Sequence, residues 1–187
     1  MNPTPGRVLI SQAQIAARVA ELGADLTRHY ATRRPLFLGV MNGALFFLAD
    51  LVRGMQIDVQ ISCVRLASYA GLHSTGQVRG LDDADLGEAV RGREVLIVDD
   101  ILDTGRTLHA LAAWLQRLGA ADVKICVLLD KQRPRELAAR ADWTGFRIAD
   151  EFVVGYGLDY DGQHRQLRDI CILAAMGHTD PRGQHLP

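Results

Sequence analysis

The sequence has no run of about 20 apolar residues, so no stretch of it reads as a membrane-spanning helix. Neither sign of charge is in excess. Lys and Arg number 21 against 22 Asp and Glu, a formal net charge of −1 that argues against a chain whose main work is gripping nucleic acid. The N-terminal MNPTPGRVLISQ lacks a basic segment followed by an apolar one, so no secretory signal is expected. Only three cysteines occur, Cys63, Cys126 and Cys171, far apart and inside apolar runs. With no Cys-x-x-Cys or Cys/His cluster, they are expected to be buried free thiols in a reducing cytoplasm. Two anion-binding signatures are also missing. There is no G-x-x-x-x-G-K-[ST] for a P-loop and no G-x-G-x-x-G for a dinucleotide fold.

What is present suits one globular domain spanning 1–187, with 48% apolar and 23% charged residues and no internal repeat. A short strand, VLI, leads to Ser11-Gln12-Ala13-Gln14, a capping box ahead of a helix. Ile15, Val19, Leu22 and Leu26 form its apolar stripe, ending near His29. LFLGV (36–40) reads as a buried strand, MNG (41–43) as a turn and ALFFLADLVRGM as a helix. IDVQISCV alternates, placing Ile57, Val59, Ile61 and Cys63 on one face of a half-exposed strand. From Ala70 to Gly92 the chain is Gly-rich, polar and acidic, which predicts a mobile functional loop or an extended hairpin arm. EVLIV is a central strand by its continuous apolar run. TLHALAAWLQRLGA is a helix with Gly119 in its left-handed cap, and DVKICVLLD is the next strand. A segment of mixed signals precedes two strand-like stretches, EFVVGYGLDY and DICILAAM, and a frayed tail is expected over 177–187. Strand–helix alternation implies a doubly wound, mainly parallel α/β sheet.

The stretch VLIVDDILDTGRTL (95–108) carries the chemistry. In an open parallel sheet, ligands sit beyond the C-terminal strand ends, beside the helix N-termini that follow. Asp103-Thr104-Gly105-Arg106-Thr107 occupies that place. Its backbone N–H groups, the helix dipole and two threonine hydroxyls suit a phosphate monoester. Asp99 and Asp100 repel phosphate, but suit ribose hydroxyls or help in holding Mg2+. Asp103 stands where a general base could act. A phosphorylation receiver domain also has an acidic pair after an apolar strand, but after its first strand, whereas here the pair is mid-chain. A solvated strand-end cluster would leave three carboxylates and a Gly-Arg-Thr turn without a structural reason.

This stretch closely resembles the phosphoribosyl-pyrophosphate signature of type I phosphoribosyltransferases. Three further blocks resemble the hypoxanthine-guanine phosphoribosyltransferases over residues 8 to 174: LGVMNGALFFLADLVR, RLASYAGLHSTGQV, and LLDKQRPR with DEFVVGYGLDYDGQHRQL. The resemblance implies a small hood built from N- and C-terminal segments over the sheet. It also implies a catalytic loop at about 70–92 that closes over the site, with Ser68 and Tyr69 on this lid. It puts Asp99 and Asp100 over the ribose hydroxyls, residues 103–107 around the 5'-phosphate, and Asp103 at purine N7 as catalytic base. The family usually has Glu-Asp at the acidic pair, so Asp99 is one methylene shorter. Asn42 and Gly43 match the pyrophosphate loop, where the family often has Leu-Lys-Gly with a non-proline cis peptide; Met41-Asn42-Gly43 lacks that lysine's charge. Arg135 and Arg165 match arginines approaching pyrophosphate. Lys131 matches the donor to the purine 6-oxo group, Phe152 the stacking ring and Val153 the backbone contact to the base. Asp159 matches an acid near the base and, with Asp99 and Asp100, a Mg2+ site. Taken singly, Lys131 could be a surface lysine, Phe152 core and Asp159 a turn residue. The implied activity is purine salvage: phosphoribosyl pyrophosphate and a 6-oxopurine as substrates, Mg2+ as cofactor, in a cytoplasmic homodimer or homotetramer. A nucleotide-sensing RNA-binding regulator of the same fold, or an enzyme for xanthine or a pyrimidine, are the alternatives.

Overall fold

The computed structural model describes residues 4–65, 83–135 and 140–173. Its centre is a five-stranded, all-parallel sheet of β2 (Leu36–Met41), β3 (Gln60–Arg65), β4 (Glu94–Leu102), β5 (Asp122–Lys131) and β6 (Trp143–Ile148), in the order β3-β2-β4-β5-β6. The chain winds outward from the β2/β4 pair, so the strand order reverses between these two, the switch point where doubly wound sheets hold ligands. A second, antiparallel sheet joins β1 (Pro5–Ile10), β8 (Ile170–Leu173) and β7 (Val153–Val154). Val8 pairs with Cys171, and Cys171 with Val154, so the expected hood of N- and C-terminal segments is present.

The central strands β2, β4 and β5 are buried on both faces, and two apolar layers result. One packs Phe37, Leu96, Val98 and Leu128 with Ile15, Leu22, Leu26, Phe47 and Leu51 of α1 (Gln12–His29) and α2 (Leu45–Arg53). The other packs Leu36, Leu38, Ile97 and Val127 with Leu108, Leu111 and Leu115 of α4 (Arg106–Arg117). The capping box forms as read: Ser11 Oγ accepts from Gln14 N, and Gln14 Oε1 accepts from Ser11 N at 2.9 Å. Gly119, at φ 95, sits left-handed just past α4, where a Cβ would be strained.

Three expectations need correction. The loop or arm read up to Gly92 ends earlier, because Asp83–Val90 is a helix, α3. Leu86 and Val90, one turn apart, bury against the α4-side layer, a contact that outweighs the polar composition. Of the three cysteines, Cys126 and Cys171 are buried but Cys63 is exposed. It lies on edge strand β3, whose alternation runs opposite to its reading: Val64 is the buried residue, while Ile61 and Cys63 stay open. The segment of mixed signals contributes β6, and EFVVGYGLDY yields only the two-residue β7.

Candidate functional site

A cavity of about 300 Å³ opens beyond the C-terminal ends of β2 and β4, lined by Gly43, Asp99, Asp100, Asp103, Thr104, Gly105, Thr107, Asp159 and Arg165. Its floor is built from β4. Four successive apolar residues, Val95 to Val98, hold the strand in the sheet and drive Asp99, only 7% exposed, to its buried end. Asp100 N donates to Asp99 Oδ1 at 2.9 Å. Burial first, and the neighbouring Asp100 second, push the Asp99 carboxyl well above the ordinary carboxylate range. Asp100 is also raised by burial, with Arg165 among the groups pulling it back.

The wall opposite is the turn after β2, where the Met41–Asn42 peptide is cis. A Cβ on Gly43 would lie 1.9 Å from Asp100 Oδ2, so the Asp100 carboxylate would have to shift to admit any other residue. Gly157, at φ 103, is held as tightly, since a Cβ there would lie 2.1 Å from the Gly43 carbonyl oxygen. Asn42 does not line the cavity; its Oδ1 accepts from Arg65 at 3.2 Å.

The turn after β4 runs straight into α4. Gly105, left-handed at φ 79, is the N-cap, so no N-cap side chain takes up the first-turn amides. Thr104 Oγ1 lies 3.5 Å from Arg106 N, and Thr104 and Thr107 both face the cavity. This is a helix N-terminus whose positive dipole end faces the cavity and suits an anion. Arg165 enters from the hood side, bonding the Gly157 carbonyl at 2.5 Å and Asp159 at 2.6 Å. Both Asp159 oxygens are engaged, the second accepting from Gly162 N at 2.7 Å.

Lys131, Phe152 and Val153 do not line this cavity. Register explains why Lys131 approaches Asp103: Leu102 sits opposite Asp130, and Lys131 opposite Ile148. Residues just past the ends of β4, β5 and β6 therefore meet. Lys131, 9% exposed, holds its Nζ 3.7 Å from Asp103 and 3.3 Å from Asp150. Phe152 is 52% exposed, edge-on to Tyr160 with ring centroids 5.7 Å apart, so it is an open platform and not core. Val153 is buried in the hood sheet.

Arg135 is placed otherwise than expected for a pyrophosphate ligand. Its guanidinium lies behind the loop, donating to the carbonyls of Asp103 at 2.8 Å, Leu102 at 3.1 Å and Lys131 at 2.6 Å, and to the Asp130 carboxylate. It ties the ends of β4 and β5 together and fixes the backbone of Asp103. Arg106 is exposed at the first position of α4 and does not line the cavity. Ser68 and Tyr69, with residues 70–82 of the expected lid and the tail 177–187, lie outside the described residues.

The sequence reading gave no role to Arg133, Asp150 or Gly157. Arg133 donates to Asp103 Oδ1 at 2.9 Å and lies 3.5 Å from Asp150. Its only signal was membership of LLDKQRPR, and that of Asp150 was its place as the first residue of DEFVVGYGLDYDGQHRQL.

The family model for the phosphoribosyl transferase domain matches residues 9–161. The hypoxanthine-guanine phosphoribosyltransferase of Lactococcus lactis is 42% identical over 168 residues, covering 89% of this chain and 90% of that one. The hypoxanthine phosphoribosyltransferase of Haemophilus influenzae is 42% identical over 164 residues, covering 86% and 90%. A crystal structure of a hypoxanthine-guanine phosphoribosyltransferase from Bacillus anthracis superposes with a TM-score of 0.82 at 34% identity, over 91% of this chain and 99% of that one. With the parallel sheet, the acidic strand end and the phosphate-ready helix already in place, these likenesses mean that the chain belongs to the phosphoribosyl transferase family, among its hypoxanthine-guanine phosphoribosyltransferases.

Proposed function

We propose that the chain transfers the phosphoribosyl group of phosphoribosyl pyrophosphate to hypoxanthine or guanine, releasing pyrophosphate and the nucleoside monophosphate. The observation that carries this reading is the position of Asp103. It lines the anion-ready cavity together with Thr104, Gly105 and Thr107, and its carboxylate also faces Lys131 across the ends of β4 and β5. A sugar phosphate on one side and a base on the other would meet at that residue.

In this reading the 5'-phosphate takes the amides and hydroxyls of 104–107, and the ribose hydroxyls donate to Asp99 and Asp100. The pyrophosphate lies along Gly43 and Arg165, whose planar fork suits phosphate oxygens. The purine stacks on Phe152 and presents its 6-oxo group to Lys131. An ammonium offers donors only, so it accepts an oxygen and disfavours the amino group of adenine. As N9 bonds to C1, the C1–O bond breaks and its electron pair leaves on pyrophosphate. The N7 proton passes to Asp103. Each donor on the developing negative charge contributes about 2.7–4 kcal/mol to lowering the barrier.

The donor set fits Mg2+. Two adjacent carboxylates are buried at the floor, both raised by that burial, and a divalent cation relieves such a pair. No cluster of three or more metal-binding side chains occurs among the described residues, so Asp99, Asp100 and Asp159 are not one ligand set. Asp99 and Asp100 would hold one ion and Asp159 a second, each together with substrate oxygens, and the ions would neutralise charge on the departing pyrophosphate. The unpaired thiol of exposed Cys63 suits a reducing, cytoplasmic setting, and a homodimer or homotetramer is the assembly proposed.

The test is one assay: purified protein with Mg2+, phosphoribosyl pyrophosphate and each of hypoxanthine, guanine, xanthine, adenine and uracil in turn. Monophosphate from hypoxanthine or guanine supports the reading. Product from xanthine or uracil alone, or from no base, overturns it.

A further inference from the structure

On the base side of Asp103 stands a four-membered charge cluster that the reaction proposed above does not fully use. Lys131 and Arg133, two residues apart at the end of β5, both face two carboxylates, Asp103 and Asp150. The four are not equivalent. Lys131 is nearly buried, with its side chain 10% exposed, and lies closer to Asp150 (3.3 Å) than to Asp103 (3.7 Å). Arg133 is solvated, 36% exposed, and has the opposite preference, with Asp103 at 2.9 Å and Asp150 at 3.5 Å. So Asp103 Oδ1, an acceptor that the reaction needs for the purine N7–H, already carries a guanidinium. The second acceptor for that guanidinium is within reach on Asp150, on the far side from the cavity.

Resting on the purine-transfer reading, we propose that Arg133 is a resident counter-ion of the base site, which passes from Asp103 to Asp150 when the purine arrives. Without a base, it satisfies the charge of Asp103. With a base, the N7–H takes over Asp103 Oδ1, and Arg133 moves the short distance onto Asp150 Oδ2. Asp150 thereby does two positioning tasks. It holds Lys131 toward the 6-oxo group and receives the displaced arginine. The cluster accepts a ligand that brings one donor for Asp103 and one acceptor for Lys131 on adjacent edges, which describes a 6-oxopurine and excludes adenine. Breaking an exposed ion pair costs up to about 1 kcal/mol, so the exchange is a modest toll on base affinity.

The experiment compares wild type with R133Q, R133K and D150N, measuring KM and kcat for hypoxanthine at saturating phosphoribosyl pyrophosphate and Mg2+, from low to high ionic strength. R133Q should lower the base KM by up to about fivefold, with kcat within a few-fold of wild type. Wild type and R133K should show a base KM that falls as salt screens the exposed pair, and R133Q should not. D150N should raise the base KM and blunt the preference for hypoxanthine over adenine. An R133Q base KM unchanged or raised, or a salt response surviving in R133Q, overturns the inference. All three variants are at exposed positions, and circular dichroism checks their fold. A wild type that converts no 6-oxopurine defeats the underlying reading instead, so the two failures are distinguishable.

Discussion

The two sides of Asp103 are built in different ways. The phosphate side is made largely from one continuous stretch, a buried strand end running into a helix N-terminus. Its chemistry comes from backbone amides, short hydroxyls and carboxylates held by the sheet. Backbone packs closely there, since a Cβ on Gly157 would lie 2.1 Å from the Gly43 carbonyl oxygen. The base side gathers Lys131, Arg133 and Asp150 around Asp103 from past the ends of two strands, held by ion pairs in which Lys131 is nearly buried and Arg133 and Asp150 are exposed. In the proposed function, a ligand group common to every substrate would be met by backbone, and a group that must be chosen would be met by side chains.

The largest effect should come from the residue shared by both sides. Asp103→Asn is expected to lower kcat by about 10² to 10⁴, with less change in substrate KM, as for loss of a general base. Steady-state kinetics decide it, and an unchanged kcat would remove Asp103 from that role. The next tests whether the two sides are mechanically joined. Arg135→Ala strips the bracket behind Asp103 and leaves the poorly exposed Asp130 without its partner. A loss of about 3–5 kcal/mol is expected, read as a lowered denaturant midpoint. A variant of wild-type stability would show the bracket to be dispensable.

The base side alone is probed by Lys131→Ala. Losing a charged hydrogen bond of about 1.5–3 kcal/mol should erode the preference for hypoxanthine over adenine by roughly 10- to 100-fold. A variant that stays fully selective contradicts the assignment. The smallest effect concerns the phosphate side without ligand. Burial and Asp100 raise Asp99 in the folded state above its unfolded value. Its protonated form therefore favours folding, and that stability is lost as pH rises from the ordinary carboxylate range through the raised value. Without Mg2+, the Tm of Asp99→Asn should gain on that of wild type as pH rises from acid to neutral. At neutral pH the variant should melt higher by a few degrees, since ~1 kcal/mol moves Tm by about 2–4 °C at this size. A Tm difference between the two that does not grow with pH would refute the account of Asp99.

How much was legible follows the same division. VLIVDDILDTGRTL displayed the phosphate side in one line, because a strand end, a tight turn and a helix start are local structures with local signals. The capping box at Ser11 and the stripe from Ile15 to Leu26 were equally plain, since helical period is written into spacing. The misreadings occurred where a distant contact outweighed composition. Asp83–Val90 is helical because Leu86 and Val90 find the α4-side layer. β3 turns Cys63 outward because Val64, on its opposite face, packs into the α4-side layer.

The sequence by itself determined the alternation of strands and helices, the acidic strand end, the Gly-Arg-Thr turn and the likeness to phosphoribosyltransferases. Each rests on neighbours within a few residues. Only the tertiary structure decided that Arg135 braces a loop, that Arg133 sits on Asp103, and that Gly157 meets Gly43. Those depend on which strand lies beside which and in what register. Register is a property of the packed sheet, set by burying whole faces at once, and no single stretch of the chain contains it.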